Sequence, residues 1–261
     1  MKRRALQRLV LTLGLLLGLP PGPGMALDHD NLDPNRPIGM EDAYPIPKGE
    51  IGVEGGVRFN DRRQGSTRVT FQPQILYGAF YNTQIEIQGD LMTEPSQVVG
   101  ANKSGDLHLA VLYNFNTETL ALPALAVRVE VELPTGVNST GVDTQFTGIL
   151  TRSFGQLRVH LNAGYTVLAS PQGQERSGAY RAVAAVSYPL GYPTSFRDTL
   201  IASIYTRQSD LQGQSNNSGI EIGLRHQLTS RIVLDGGLGT EFAGPADRAA
   251  LLGTVGLSVG F

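Results

Sequence analysis

The last thirteen residues, AALLGTVGLSVGF from Ala249 to Phe261, constrain this chain most. Leu251, Gly253, Val255, Leu257, Val259 and Phe261 share one face of an extended segment, and Leu252, Thr254, Gly256, Ser258 and Gly260 share the other, which is smaller and more polar. An alternation of period two marks a strand lying between two different environments. The pattern is sharpest at 127–133, where Val127, Val129, Val131 and Leu133 alternate with Arg128, Glu130 and Glu132. Three charges alternating with four apolar residues exclude the core strand of a sandwich.

The start of the chain reads as a secretory signal. Lys2, Arg3, Arg4 and Arg8 precede an apolar run from Leu9 to Leu19, which Pro20, Pro21, Gly22 and Pro23 break. Gly24-Met25-Ala26 offers small residues for cleavage after Ala26. The run is too short to span a membrane as a helix. Removing residues 1–26 leaves 17 basic against 23 acidic residues, a net charge of −6. With no polybasic stretch left, nucleic acid is not an expected partner. The absence of Cys excludes disulfides, thiolate metal sites and Cys nucleophiles. After the signal no apolar run approaches the ~20 residues of a membrane helix. If the mature chain crosses a membrane, it must do so as a closed barrel, because only helices and barrels satisfy every backbone group in lipid.

Residues 27–49 carry Pro34, Pro37, Pro45 and Pro47 among acidic residues and show no apolar period. They read as an extended periplasmic lead that docks on, and partly occludes, the barrel mouth. Asp28-His29-Asp30 has metal-ligand residue types, but a solvated terminus is the plainer reading. From residue 50 onward about twelve strands are predicted: 50–59, 67–77, 84–91, 107–115, 127–133, 142–154, 157–165, 179–190, 198–207, 219–228, 232–242 and the terminal one. Pro73 removes a ladder donor inside the second strand and predicts a bulge there. Gly155-Gln156 is a two-residue hairpin turn. It sets Phe146 opposite Tyr165 on the outer face and Thr151 opposite His160 inside. A three-residue loop at 229–231 sets Arg225 opposite Asp235, a predicted interior ion pair.

Two features favour a membrane over a soluble barrel. Short turns alternate with longer loops. Ten of the eighteen Phe and Tyr residues gather at the predicted periplasmic ends: Tyr77, Phe80, Tyr81, Tyr113, Phe115, Phe154, Tyr188, Tyr192, Phe196 and Phe261. A closing strand with a terminal Phe also resembles that of bacterial outer-membrane barrels. The resemblance implies recognition of that strand by the barrel-assembly machinery, with outer-membrane lipid as the surrounding partner.

Three stretches resemble one transporter-like outer-membrane family, labelled after the meta-pathway of phenol degradation. They are RPIGMEDAYPIPKGEIGVEGGVRF (36–59), LTRSFGQLRVHLNAGYT (150–166) and GLRHQLTSRIVLDGGLG (223–239). These are turn-and-strand patterns without catalytic residues to carry over. The chain thus divides into a signal peptide (1–26), an N-terminal segment (27–49) and an all-β, antiparallel up-and-down transmembrane barrel (50–261). The pore-lining candidates are Arg58, Arg68, Glu86, His108, Arg128, Glu130, Glu132, Arg158, His160, Arg181, Glu221, Arg225 and Asp235. The wall is nearly balanced in charge, which predicts weak ion selectivity. Twelve strands predict a narrow or plugged bore. The leading expectation is a narrow channel for small solutes, with hydrophobic or aromatic ones implied by the resemblance alone. A structural anchor or adhesin is the alternative. A hydrolase is disfavoured, because no strand His has a nucleophilic Ser two residues away; no cofactor, metal or catalytic residue is expected.

Overall fold

A computed structural model describes residues 27–65, 67–93, 102–136, 141–171 and 173–261. The expected signal peptide lies outside them, as do the whole of the loop at 94–101 and parts of three other loops. Twelve strands follow in order. They are β1 (Ile51–Arg62), β2 (Arg68–Phe80), β3 (Thr83–Thr93), β4 (Asn102–Asn116), β5 (Ala124–Leu133), β6 (Asp143–Phe154), β7 (Leu157–Val167), β8 (Gly178–Leu190), β9 (Asp198–Arg207), β10 (Asn217–Thr229), β11 (Ile232–Ala243) and β12 (Ala249–Gly260). Each pairs antiparallel with its neighbour in sequence, and β1 pairs with β12 to close the barrel. Closure leaves no free sheet edge. The seam continues past β12, because Ile51 and Phe261 exchange both backbone hydrogen bonds.

Alternation along the strands sorts side chains to two surfaces. On β3, Ile85, Ile87 and Leu91 are 42–49% exposed outside, whereas Gln84, Glu86 and Gln88 are buried inside. Tyr77, Phe80, Tyr113, Phe115, Phe154, Tyr188, Tyr192 and Phe196 are exposed around the end where β1 begins and Phe261 lies, the terminal end. A second aromatic ring, not anticipated from the sequence, comprises Phe59, Phe71, Phe146, Tyr165, Tyr180 and Phe242 near the opposite ends of their strands. Two girdles flanking an apolar band are what a bilayer requires of a spanning barrel. Connections at the terminal end are two or seven residues long; those at the other end run from five to ten. The terminal end is therefore periplasmic.

The hairpin at Gly155-Gln156 forms as its sequence requires. Gly155 takes a φ of +64°, and Phe146 lies opposite Tyr165 with both exposed. Elsewhere the chain differs from expectation. Pro73 causes no register shift: it stays opposite Gly55 on β1, while its pairing to β3 lapses. The irregularity sits one strand further on, between Gly89 and Leu91. Arg225 lies opposite Asp235 as predicted, but through the two-residue turn 230–231 and a bulge between Gln227 and Thr229. His108 pairs with Glu132 near the end of β5 remote from the periplasmic turns.

The largest departure concerns residues 27–49. Expected to dock on the mouth and partly occlude it, they run inside the barrel. Leu27, Leu32, Ile38, Met40, Ala43 and Ile46 are at most 4% exposed. His29, read as part of a solvated terminus, is buried, with Nδ1 2.7 Å from Thr199 Oγ1 and its backbone N–H donating to Gln227 Oε1 at 2.8 Å. No group of side chains suited to holding a metal ion occurs among the described residues.

Candidate functional site

The interior is the candidate site, and the N-terminal segment is its central element. This plug has two legs. Leu27 packs near Gly52 and Leu76 at the periplasmic end, and Pro47 returns to Gly78 at the same end. Leu32 and Asp42 bind across the legs: Leu32 N–H donates to Asp42 Oδ2, and Asp42 N–H donates to Leu32 O, both at 3.1 Å. Residues 33–41 form the apex. Asn35 takes a φ of +72° there, a conformation that Asn tolerates better than most residues.

An irregular backbone inside a barrel has no ladder to join, so its polar groups need other partners. Wall side chains supply them. Gly39 N–H donates to Glu221 Oε2 at 2.9 Å, Ala43 N–H to Thr151 Oγ1 at 3.1 Å and Ile46 N–H to Gln84 Oε1 at 2.8 Å. Asn162 receives Glu41 N–H and returns its amide to Glu41 O, both at 2.9 Å. Asn114 Nδ2 donates to Ala43 O at 2.6 Å. Close approach also needs a wall without side chains. A Cβ on Gly223 would lie 2.7 Å from Pro37 Cγ and 2.9 Å from Pro37 Cβ.

Ion pairs fix the apex. Arg36 pairs with Glu54 and lies 3.9 Å from Asp235, with the three side chains at most 5% exposed. Arg225, fully buried, has Asp33 as its ion contact at 3.6 Å. The predicted pair of Arg225 with Asp235 is thus replaced: plug residues take both partners. Asp30 meets Arg158 at 3.2 Å, and Glu41 lies 3.6 Å from Arg128. Burial in the plug pushes the Asp42 carboxyl up to about 7 against the pull of the Tyr44 and Leu32 amides. Burial also raises Glu41, opposed by Arg128.

All thirteen sequence-predicted interior residues point inward, but they do not form one ring. Arg128 gathers Glu86 at 2.7 Å and also Glu130, and Glu130 in turn binds His108 at 2.8 Å. Glu132 lies opposite His108. His160 lies between Thr151 Oγ1 at 3.1 Å and Ser187 Oγ at 2.9 Å. The Ser187 contact was not foreseen; it comes from the neighbouring strand β8. The third group is a hydroxyl rather than a carboxylate, and all three side chains are buried. Arg58, Arg68, Arg181 and Glu221 border a cavity of about 480 Å³ above the plug, toward the long loops. Asn35 of the apex contributes to its lining.

The closed twelve-stranded wall, the exposed apolar band and the paired aromatic girdles define an outer-membrane β-barrel. Residues 38–254 match the model of the family described as putative MetA-pathway of phenol degradation, and the chain belongs to that family. A comparison with curated proteins returns no match. Among solved structures, the chain resembles the COG4313 outer membrane channel from Pseudomonas putida F1, with a TM-score of 0.66 and 15% identity, over 88% of this chain and 100% of that one. It also resembles the NanC porin, with a TM-score of 0.56 and 13% identity, over 81% and 98% of the two chains. The CymD monoaromatic hydrocarbon channel aligns with a TM-score of 0.53 and 7% identity, over 83% and 89%. These neighbours are channels and porins, not enzymes. At such identities the likeness is one of fold.

Proposed function

We propose that this protein is a narrow channel for small solutes, held closed at rest by residues 27–49. One observation carries the reading. The bore is filled from the periplasmic end to the level of Gly223 and Gly237 by a separate segment, whereas the space beyond is an open cavity. A barrel serving only as an anchor would have no need of a bore kept apart from a removable filling. The filling is held by side-chain contacts, and its one covalent link to the described wall is at residue 50. Structural neighbours described as channels support the reading. The buried Ser187–His160 pair lies under the plug and has no carboxylate to orient the His, so the protein is read as a non-enzyme.

Deleting Asp28–Met40 tests the channel. The deletion removes the apex and its ion pairs while leaving the β1–β12 seam intact. Conductance in planar bilayers is expected to rise, with the barrel still resisting heat in detergent. A folded barrel that remains electrically silent would favour the anchor. Turnover of phospholipid or ester substrates by the purified protein would overturn the non-enzyme reading.

A further inference from the structure

The interior charges are nearly balanced in number but not in space. Glu86, Asp90, Glu130 and Glu132 lie on β3 and β5, beside Arg128 and His108. The cavity above the plug is bordered instead by β1, β2 and β6–β12, away from β3 and β5. Its lining holds Arg58, Arg62, Arg68, Arg181 and Arg207 against Asp210, Glu221 and Glu241.

The acids there are largely committed. Glu241 is 2% exposed and accepts from Tyr205 at 3.2 Å, Arg207 at 3.3 Å, Asn217 at 2.9 Å and the Ala249 amide at 2.7 Å. Glu221 is 4% exposed and accepts from Arg58 at 3.3 Å and the Gly39 amide at 2.9 Å. The guanidinium groups stand in front of them: Arg58 is 26% and Arg207 53% exposed. A guanidinium has five N–H donors, so one bond to a carboxylate leaves further donors on a side chain that lines the cavity.

One further placement needs a cause. Arg181 and Arg207 are direct cross-strand partners between β8 and β9, and both line the cavity. Like charges directly opposite one another destabilise a sheet. Arg181 contacts the Gly39 carbonyl of the plug, a neutral acceptor. An anion bound near both guanidinium groups would offset their repulsion, and carboxylates match guanidinium fork geometry. The rest of the lining is mostly polar, with Asn60, Gln145, Thr166, Gln208 and Asn217 offering hydrogen bonds and Ala179 and Leu252 as its aliphatic members.

We propose that this vestibule binds small polar organic carboxylates, with Arg181 and Arg207 as the anion-binding pair. As the entry site of a transport path the proposal rests on the channel reading; as a binding site it is measured without transport. Calorimetry on the detergent-purified full chain would compare gluconate, its neutral amide and benzoate. Gluconate is expected to bind at least tenfold more tightly than gluconamide, and to weaken as salt is added. Arg207→Gln should abolish that preference, and Arg207→Lys should restore some of it, in barrels that keep their heat-resistant mobility on gels. Equal binding of gluconate and gluconamide, or an Arg207→Gln barrel that retains the preference, overturns the site. Tighter binding of benzoate than of gluconate overturns the polar-solute class. A protein that binds gluconate but stays silent even without residues 28–40 refutes the channel and leaves the site standing. One that conducts without preferring the carboxylate does the reverse.

Discussion

Replacing Arg36 by Ala should release the plug. Arg36 holds two carboxylates, Glu54 on β1 and Asp235 on β11, whose side chains are both at 0% exposure. Unit charges about 4 Å apart interact by about 4 kcal/mol at an effective dielectric of ~20. Removing one partner of a buried pair typically costs about 3–5 kcal/mol, because the other charge is left uncompensated. Here the carboxylates belong to the wall, and releasing the plug lets water reach them. The loss therefore falls mainly on docking. At about 1.4 kcal/mol per decade, 3 kcal/mol raises the released population by about 100-fold. The chain has no Cys, so Ala43→Cys gives a single reporter at a plug position of 0% exposure. Its maleimide labelling should accelerate by about that factor in Arg36→Ala, and conductance should rise with it. Adding Glu54→Gln removes one of the orphaned charges and should recover some of the protection. Unchanged labelling in Arg36→Ala would refute the reasoning, as would the absence of any recovery in the double variant.

Two more predictions concern the same equilibrium. The docked Asp42 holds its proton up to about pH 7, whereas a released carboxyl loses it near its ordinary value of 3.8. Docking is thus fully stabilised below about pH 4 and weakens as pH rises through about 7. Glu41, raised beside Arg128, acts in the same direction, while Asp33 and Arg158 are the charges that bear on Asp42 from the plug and from β7. Labelling at Ala43→Cys, corrected for thiol ionisation, should increase from pH 5 to pH 8, and Asp42→Asn should flatten the profile. Gly223→Val places a side chain where Pro37 already lies, at a strand position that suits Val, and should raise conductance without loss of the heat-resistant barrel. An unaltered current would show that the apex sits elsewhere.

Much of the wall was legible because its period is two. Arg128, Glu130 and Glu132 between Val127, Val129, Val131 and Leu133 define a facing that only one register satisfies. The Gly155-Gln156 hairpin followed from turn chemistry, whereas Arg225 lies opposite Asp235 through a different turn and a bulge than the sequence suggested. Their ion contacts did not follow, because the groups that take them, Asp33 and Arg36, belong to a stretch without periodicity. The plug joins no ladder, so no period betrays it. Its only signal was Arg36, Ile38, Met40 and Glu41 close together among prolines, a mixture of apolar and charged side chains on a stretch with no period to bury them. Pro73 was misjudged for a related reason: a missing donor can be accommodated by an unpaired stretch of ladder as well as by a bulge. The outer aromatic girdle was missed because its members sit one to a strand on β1, β2, β6, β7, β8 and β11, with no local cluster to notice.

The two-legged path of the plug gives it a direction under load. Tension at the residue-27 end reaches the contacts of the first leg in series: His29 with Thr199 and Gln227, then Asp30 with Arg158, then Asp33 with Arg225. Contacts in series yield singly, so the force required is that of the strongest rather than of the sum. Pressure on the apex from the vestibule instead bears at once on Arg36 against Glu54, Pro37 against Thr254 and Gly39 against Arg181 and Glu221. Those contacts share the load in parallel. This arrangement predicts a segment that yields at a lower force to a pull from the periplasm than to a push from the vestibule.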